Sequence, residues 1–205
     1  MAEAAPSCRL YLVAPPRLEP RAFAPLLAAA LDAGDVASVE LALAEADDTA
    51  WRAAVAALRP VAQDRGVAFL LHGAAELAAA TGCDGVRLAG PGGYAAARQV
   101  LGPDAIVGAS AGTSRHAAMV AGERGADFIG LGPGADGGVD AELVAWWTEL
   151  MEVPCVAFGA DGPAAAAEAA RAGAEFVAAG DAVWDHPDGP AAGVQALLAA
   201  LAGAD

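Results

Sequence analysis

Residues 105–131 read AIVGASAGTSRHAAMVAGERGADFIGL. Ala105–Ala109 is a short apolar run of strand length, and Thr113–Arg124 is a longer, alanine-rich stretch of helix-forming composition. Gly125 follows as a helix stop suited to the left-handed position past a helix end, and Asp127–Leu131 is a second short apolar run. Two buried strands joined through one helix pair in parallel by a right-handed crossover. The same alternation continues in both directions.

Strands are expected at Arg9–Val13, Val36–Leu43, Val67–Leu71, Asp84–Leu88, Ala105–Ala109, Asp127–Leu131, Val153–Phe158 and Glu175–Ala178. Helices are expected at Pro20–Ala33, Asp48–Arg65, Ala74–Thr81, Gly93–Leu101, Thr113–Arg124, Asp140–Met151, Gly162–Ala172 and Asp188–Ala202. Eight strand–helix units predict an α/β chain folded as a single eight-stranded parallel (βα)₈ TIM barrel. A doubly wound open sheet is the alternative, because periodicity does not show closure. Gly82-Cys83-Asp84, Gly125-Ala126-Asp127 and Gly173-Ala174-Glu175 repeat one pattern, a glycine helix stop and an acid just before a strand. They read as punctuation at the bottom of the barrel. Residues 1–205 read as one domain, with 1–8 a loose N-terminal segment.

The net charge is −15, and all 11 basic residues are arginines, since lysine is absent. That balance argues against nucleic acid, whose binding draws on neutralised phosphates, and against anionic membrane surfaces. Without lysine there is no Schiff-base amine and no phosphate-loop lysine. No apolar stretch spans a bilayer and Met1–Ser7 has no signal-peptide pattern, so a cytoplasmic protein is expected. Cys8, Cys83 and Cys155 are far apart and read as buried, reduced thiols. Trp146 and Trp147 point about 100° apart on a helix. Both cannot face one core, and one is a candidate for a homodimer contact.

Barrel chemistry sits at the C-terminal ends of the strands. Glu40 lies on strand 2, His72 ends strand 3, and Arg87 is on strand 4. Ser110 follows strand 5, Gly132 and Asp136 follow strand 6, Gly159 and Ala160 follow strand 7, and Gly180 and Asp181 follow strand 8. Ser110, Gly132, Gly159, Ala160, Gly180, Asp181 and Arg87 form the candidate ligand or phosphate site, because glycine-rich turns after the last strands present backbone amides to anions. The plainer account is that the glycines only make tight turns, and Asp181 beside a phosphate is repulsive unless it turns away. His72, Glu40, Asp136 and Asp181 are the acid–base candidates. For His72 the plainer account is a hydrogen-bonded structural histidine. His116 reads as a surface residue and His186 as ordinary loop packing. The three histidines lack metal-ligand spacing, so no metal site is expected.

Several segments together resemble the thiamine-phosphate synthase family, which includes the thiazole tautomerases. Asp84-Gly85-Val86-Arg87-Leu88 resembles its D-G-V-H-L-G-Q, and Ile106-Val107-Gly108-Ala109-Ser110 its I-G-x-S. Gly125–Pro133 resembles its G-A-D-Y-I-G-x-G-P, the most specific piece, and Val153–Gly159 its I-P-V-V-A-I-G-G. Ala172–Glu175 resembles the approach to its last strand. The resemblance implies a barrel that joins a pyrimidine pyrophosphate to a thiazole phosphate with Mg²⁺. The working residues depart from it. The family's Q-L-R-x-K on strand 2 reads Glu40-Leu41-Ala42-Leu43-Ala44, without either cation. Its N-D reads His72-Gly73, and its second metal-binding aspartate falls near Gly92. Gly134–Asp140 replaces its threonine–lysine segment, Ala160 its second glycine, and Asp181 its phosphate-loop serine. The tautomerase histidine falls near Gly112.

A departing pyrophosphate needs counter-charge worth several kcal/mol. With the family's cations missing, Arg87, Arg17 and Arg115 are the arginines near the mouth that compensate, if any do. The expectation is therefore a diverged, degenerate-site barrel that binds a small, phosphorylated or thiamine-related ligand without the family's Mg²⁺-dependent mechanism. No cofactor is expected, and Mg²⁺ only if the family activity is retained. The alternatives are an active thiamine-phosphate synthase with a rearranged site, and a non-catalytic interaction scaffold.

Overall fold

In the computed structural model, which describes residues 8–204, the apolar runs pair side by side in chain order and the last closes on the first. The strands are Arg9–Val13 (β1), Val36–Leu41 (β2), Ala68–His72 (β3), Gly85–Leu88 (β4), Ile106–Gly112 (β5), Ile129–Leu131 (β6), Cys155–Ala157 (β7) and Phe176–Ala179 (β8). All neighbours are parallel, and β1 pairs with β8 in register Leu10–Val177 and Leu12–Ala179. That last pairing distinguishes a (βα)₈ barrel from the open doubly wound sheet. The helices outside are Pro20–Asp32 (α1), Asp48–Gln63 (α2), Ala75–Thr81 (α3), Tyr94–Leu101 (α4), Arg115–Glu123 (α5), Ala141–Leu150 (α6), Pro163–Arg171 (α7) and Pro190–Ala202 (α9), with a short extra helix at Asp181–Trp184 (α8). Residues 1–7 of the segment expected to be loose lie outside the described residues; Cys8 is described and half-buried.

Four helix starts are capped by side chains that satisfy otherwise orphaned amides: Glu19 for α1, Asp47 for α2, Ser114 for α5 and Asp140 for α6. The repeated glycine–acid motif has a second task. Asp84, just before β4, accepts from the Phe69 amide of β3 at 2.7 Å. Asp127, before β6, accepts from the Val107 amide of β5 at 2.7 Å. Glu175, before β8, accepts from the Cys155 amide of β7 at 2.9 Å. Each acid thus satisfies an amide at the start of the preceding strand, where a buried unpaired N–H costs about 1–3 kcal/mol. The motif pins pairs of strands at the barrel bottom.

Alternate strand residues face opposite ways. Those facing out form the main core against the helices, including Leu10, Leu12, Val39, Leu41, Phe69 and Leu71. Those facing in are fewer: Tyr11, Leu70, Phe128, Val156 and Ala178 form a small cluster inside the barrel. Glycine makes room there. An added Cβ at Gly108 would collide with the Phe128 ring, and one at Gly130 would lie 3.0 Å from Phe158. Tyr11 meets both rings edge-on, at 5.7 and 6.1 Å between centroids.

The tryptophan pair divides as helix geometry requires. Trp147 is buried and donates to the Val153 carbonyl at 2.7 Å. Trp146 is half-buried, with the Arg115 guanidinium 4.8 Å over its ring. Cys83 and Cys155 are buried thiols. Among the described residues no helix is long and apolar enough to cross a membrane.

Candidate active site

The strand pairings bring four expected residues from four strands to one place in the upper barrel. β1 faces β2 with Val13 opposite Glu40, and β3 faces β4 with His72 opposite Arg87. Glu40, an inward position of β2, is 0% exposed. Its carboxylate takes a side-on fork from Arg87, Nε to Oε2 at 2.6 Å and Nη2 to Oε1 at 2.7 Å. The Tyr11 hydroxyl donates to Oε2 at 2.5 Å. Arg87 also donates from Nη1 to the Ser110 hydroxyl, and its guanidinium lies 4.6 Å over the Phe158 ring. His72 Nδ1 is 3.3 Å from Glu40 Oε1, near enough for attraction but not aligned as a hydrogen bond.

Burial alone would raise the Glu40 carboxyl. The contacts from His72, Arg87 and Tyr11, together with the Arg87 charge, outweigh it and hold the carboxyl down at about 2. Burial and the adjacent carboxylate push the Tyr11 hydroxyl well above its ordinary value. Burial works against the Arg87 charge, but the Glu40 pairing prevails and raises it. At neutral pH Glu40 therefore has no proton to give, and both of its oxygens are engaged.

Beside this cluster a cavity of ≈ 310 Å³ opens at the ends of β1, β4, β7 and β8, lined among others by Val13, Arg87, Phe158, Gly159, Gly180 and Asp181. Ala160 also lines it and is itself buried. Gly159 sits at φ +97°, where an added Cβ would collide with the Gly138 carbonyl of the β6–α6 loop. Gly132, at φ +80°, passes so close to β7 that a Cβ would lie 2.8 Å from the Phe158 carbonyl oxygen. Past Gly180 the chain enters α8 at once, and Trp184 at its end ties back to the Val13 carbonyl at 2.7 Å. Asp181 stands on the exposed side of that turn.

Asp136 is separate. It is exposed in the β6–α6 loop, with its carboxylate folded back on the Gly138 amide at 3.1 Å. Of the other arginines weighed for the mouth, Arg17 pairs with Glu45 at 2.9 Å in an exposed bridge, and Arg115 pairs with Glu142 and covers Trp146. Both are paired outside the Glu40 cluster. His116 lies exposed on α5, as expected, and His186 accepts from the Asp188 amide in its loop. Sequence reasoning missed Tyr11 and Phe158. Tyr11 shares the inward face of β1 with Arg9 and Val13, an alternation that marks it in hindsight. Phe158 lies just past β7, two residues after the inward-facing Val156, so the alternation of the expected strand marks it too.

At the positions that the family resemblance assigns to its two metal-binding aspartates, this chain has no carboxylate. The two aspartate positions hold Gly73 and a residue near Gly92. Among the described residues no group of three His, Cys, Asp or Glu side chains is placed to hold a metal ion. Glu40 is already committed to Arg87 and Tyr11.

A family model described as thiamine monophosphate synthase matches residues 10–183. A protein named thiamine-phosphate synthase from Rhodospirillum centenum is 51% identical over 197 residues, covering 91% of this chain and 94% of its own. One of the same name from Hyphomonas neptunium is 43% identical, covering 97% and 96%. The solved structure of a thiamine phosphate pyrophosphorylase from Pyrococcus furiosus superposes with a TM-score of 0.83 at 24% identity, over 97% of this chain and 98% of its own, a likeness of fold. The first two correct the expectation of a degenerate, ligand-binding barrel without the synthase mechanism. That expectation took the missing cations and metal-binding carboxylates as a missing mechanism. Counter-charge in a closed barrel is not tied to one strand, and Arg87 stands inside this one from β4.

Proposed function

The chain belongs to the thiamine monophosphate synthase family, and on that basis we propose that it is an active thiamine-phosphate synthase with a rearranged site. It joins a hydroxymethylpyrimidine pyrophosphate to a thiazole phosphate. The observation that carries this reading is the 51% identity to the Rhodospirillum centenum protein of that name across 91% of the chain. The matched region takes in nearly the whole barrel.

The geometry is compatible with small phosphorylated substrates. The turns at Gly159 and Gly180 expose backbone beside the ≈ 310 Å³ cavity, in the region where barrels commonly bind phosphate. Ser110 offers a hydroxyl at the end of β5, next to Arg87. Asp181, at the position that the resemblance gives to the family's serine, is exposed at the rim of the same cavity. A cytoplasmic location belongs to the same proposal, supported by the buried thiols of Cys83 and Cys155.

The test is turnover. Purified protein is incubated with the pyrimidine pyrophosphate and thiazole phosphate, with and without Mg²⁺, and thiamine phosphate is measured by conversion to its fluorescent oxidation product. Saturable formation dependent on both substrates is expected. No product above the uncatalysed rate, from protein that is folded by circular dichroism, would refute the proposal.

A further inference from the structure

We propose that Arg87 is the residue that takes a phosphate or pyrophosphate oxygen of the substrate in this barrel, and that Glu40 is its positioning residue. The inference rests on the synthase reading for the substrate's identity, and on the geometry alone for the anion. A guanidinium has five N–H donors. Arg87 spends Nε–H and one Nη2–H on Glu40, and one Nη1–H on Ser110. Two remain, one on each terminal nitrogen, and Arg87 lines the mouth cavity.

The pair is oriented. Glu40, the negative end, is 0% exposed, with Tyr11 donating to it from β1. Arg87, the positive end, keeps 14% of its side chain exposed and lies over the Phe158 ring at 4.6 Å. A fork held on one side by a carboxylate and on its face by a ring loses little freedom on meeting a second anion, and planar donor pairs match phosphate oxygens. Asp161 and Asp181 line the same cavity, but both are exposed and screened by solvent, whereas the guanidinium lies deeper. Where the family resemblance places two cations on β2, this chain has one on β4 and a β2 carboxylate that grips it. Position 40, glutamine in the family's motif, is here an acid paired with an arginine across the barrel.

The experiment measures binding of inorganic phosphate and of pyrophosphate by calorimetry, beside turnover, in wild type, Arg87→Lys and the double variant Glu40→Gln/Arg87→Met. The two anions distinguish the thiazole phosphate from the pyrophosphate end as the group held. The double variant removes both charges together, so no buried charge is stranded. Arg87→Lys keeps Glu40 paired and supplies a second folded protein if the double variant fails to fold. At least one anion is expected to bind wild type, about tenfold or more weaker to the double variant and severalfold weaker to Arg87→Lys, which keeps charge but not the fork. Unchanged affinity in either folded variant overturns the proposal, and so does a wild type that binds neither anion. Turnover separates the two readings. Anion binding lost with Arg87 but no product supports this inference and rejects the synthase; turnover with Arg87-independent anion affinity does the reverse.

Discussion

Arg87→Met should invert the pH dependence of this protein's stability. In the wild type the Glu40 carboxyl is held from its usual 4.5 down to about 2. At about 1.4 kcal/mol per pH unit, that difference corresponds to roughly 3 kcal/mol of stabilisation. A depressed acid stabilises above its unfolded value, so this contribution is present above about pH 4.5 and is lost as the pH falls toward 2. Methionine fills the arginine's volume against Phe158 but leaves a carboxylate that is 0% exposed without its fork. Breaking a buried pair from one side costs about 3–5 kcal/mol. With Arg87 gone, burial dominates and pushes the Glu40 carboxyl above its ordinary value. The variant then relieves its penalty by taking up a proton, and gains stability as the pH falls from about 8 to about 5, a range in which Glu40 contributes no slope in the wild type. Urea unfolding followed by tryptophan fluorescence at both pH values reads this directly. A loss of at least about 3 kcal/mol near pH 8 is expected, equivalent to a melting temperature lower by roughly 6–12 °C. Glu40→Gln/Arg87→Met should recover most of it. A loss under about 1 kcal/mol, or a variant with the wild-type pH slope, refutes the picture of a buried carboxylate held ionised by Arg87.

Gly159→Ala forces a side chain into φ +97° and against the Gly138 carbonyl, so the β6–α6 loop must move. A cost of about 1–3 kcal/mol and a raised KM for the phosphate-bearing substrate are expected by thermal unfolding and steady-state kinetics; wild-type values for both would contradict the contact. Gly108→Ala overfills the barrel against Phe128 and should destabilise by about 1–3 kcal/mol, checked by urea unfolding. Cys83 and Cys155, whose thiols burial pushes up, should react with a disulfide reagent only after denaturant is added, and rapid modification of either in the native protein would show that its pocket opens.

The (βα)₈ plan was legible because it repeats. Eight apolar runs and eight alanine-rich helices state the same unit, and the glycine–acid motifs mark its boundaries, since a chain that must bury a parallel strand on both faces writes that need into consecutive residues. The family was legible for a similar reason: Gly125–Pro133 and Val153–Gly159 are contiguous. Strand ends were read too long at Val36–Leu43 and Val153–Phe158, because apolar residues continue past the ladder, toward the mouth at Leu43 and Phe158 and before the strand begins at Val153. The four-residue helix α8 was not read at all, being shorter than one period of any helical pattern needs.

What the sequence determined by itself was therefore the sum of local preferences: element type, order, and which end of the barrel bears the polar residues. The partnership of Glu40 with Arg87, 47 residues apart, was decided only by tertiary structure. Strand spacing says that each faces inward. It does not say that the closed barrel sets the two guanidinium bonds across from β2 to β4, places Tyr11 beneath them and Phe158 beside them, and keeps water away from the carboxylate. Whether an acid is a base, a ligand or a clamp depends on the charges within a few ångströms and on the solvent it has lost, and both are properties of the closed barrel rather than of the residue.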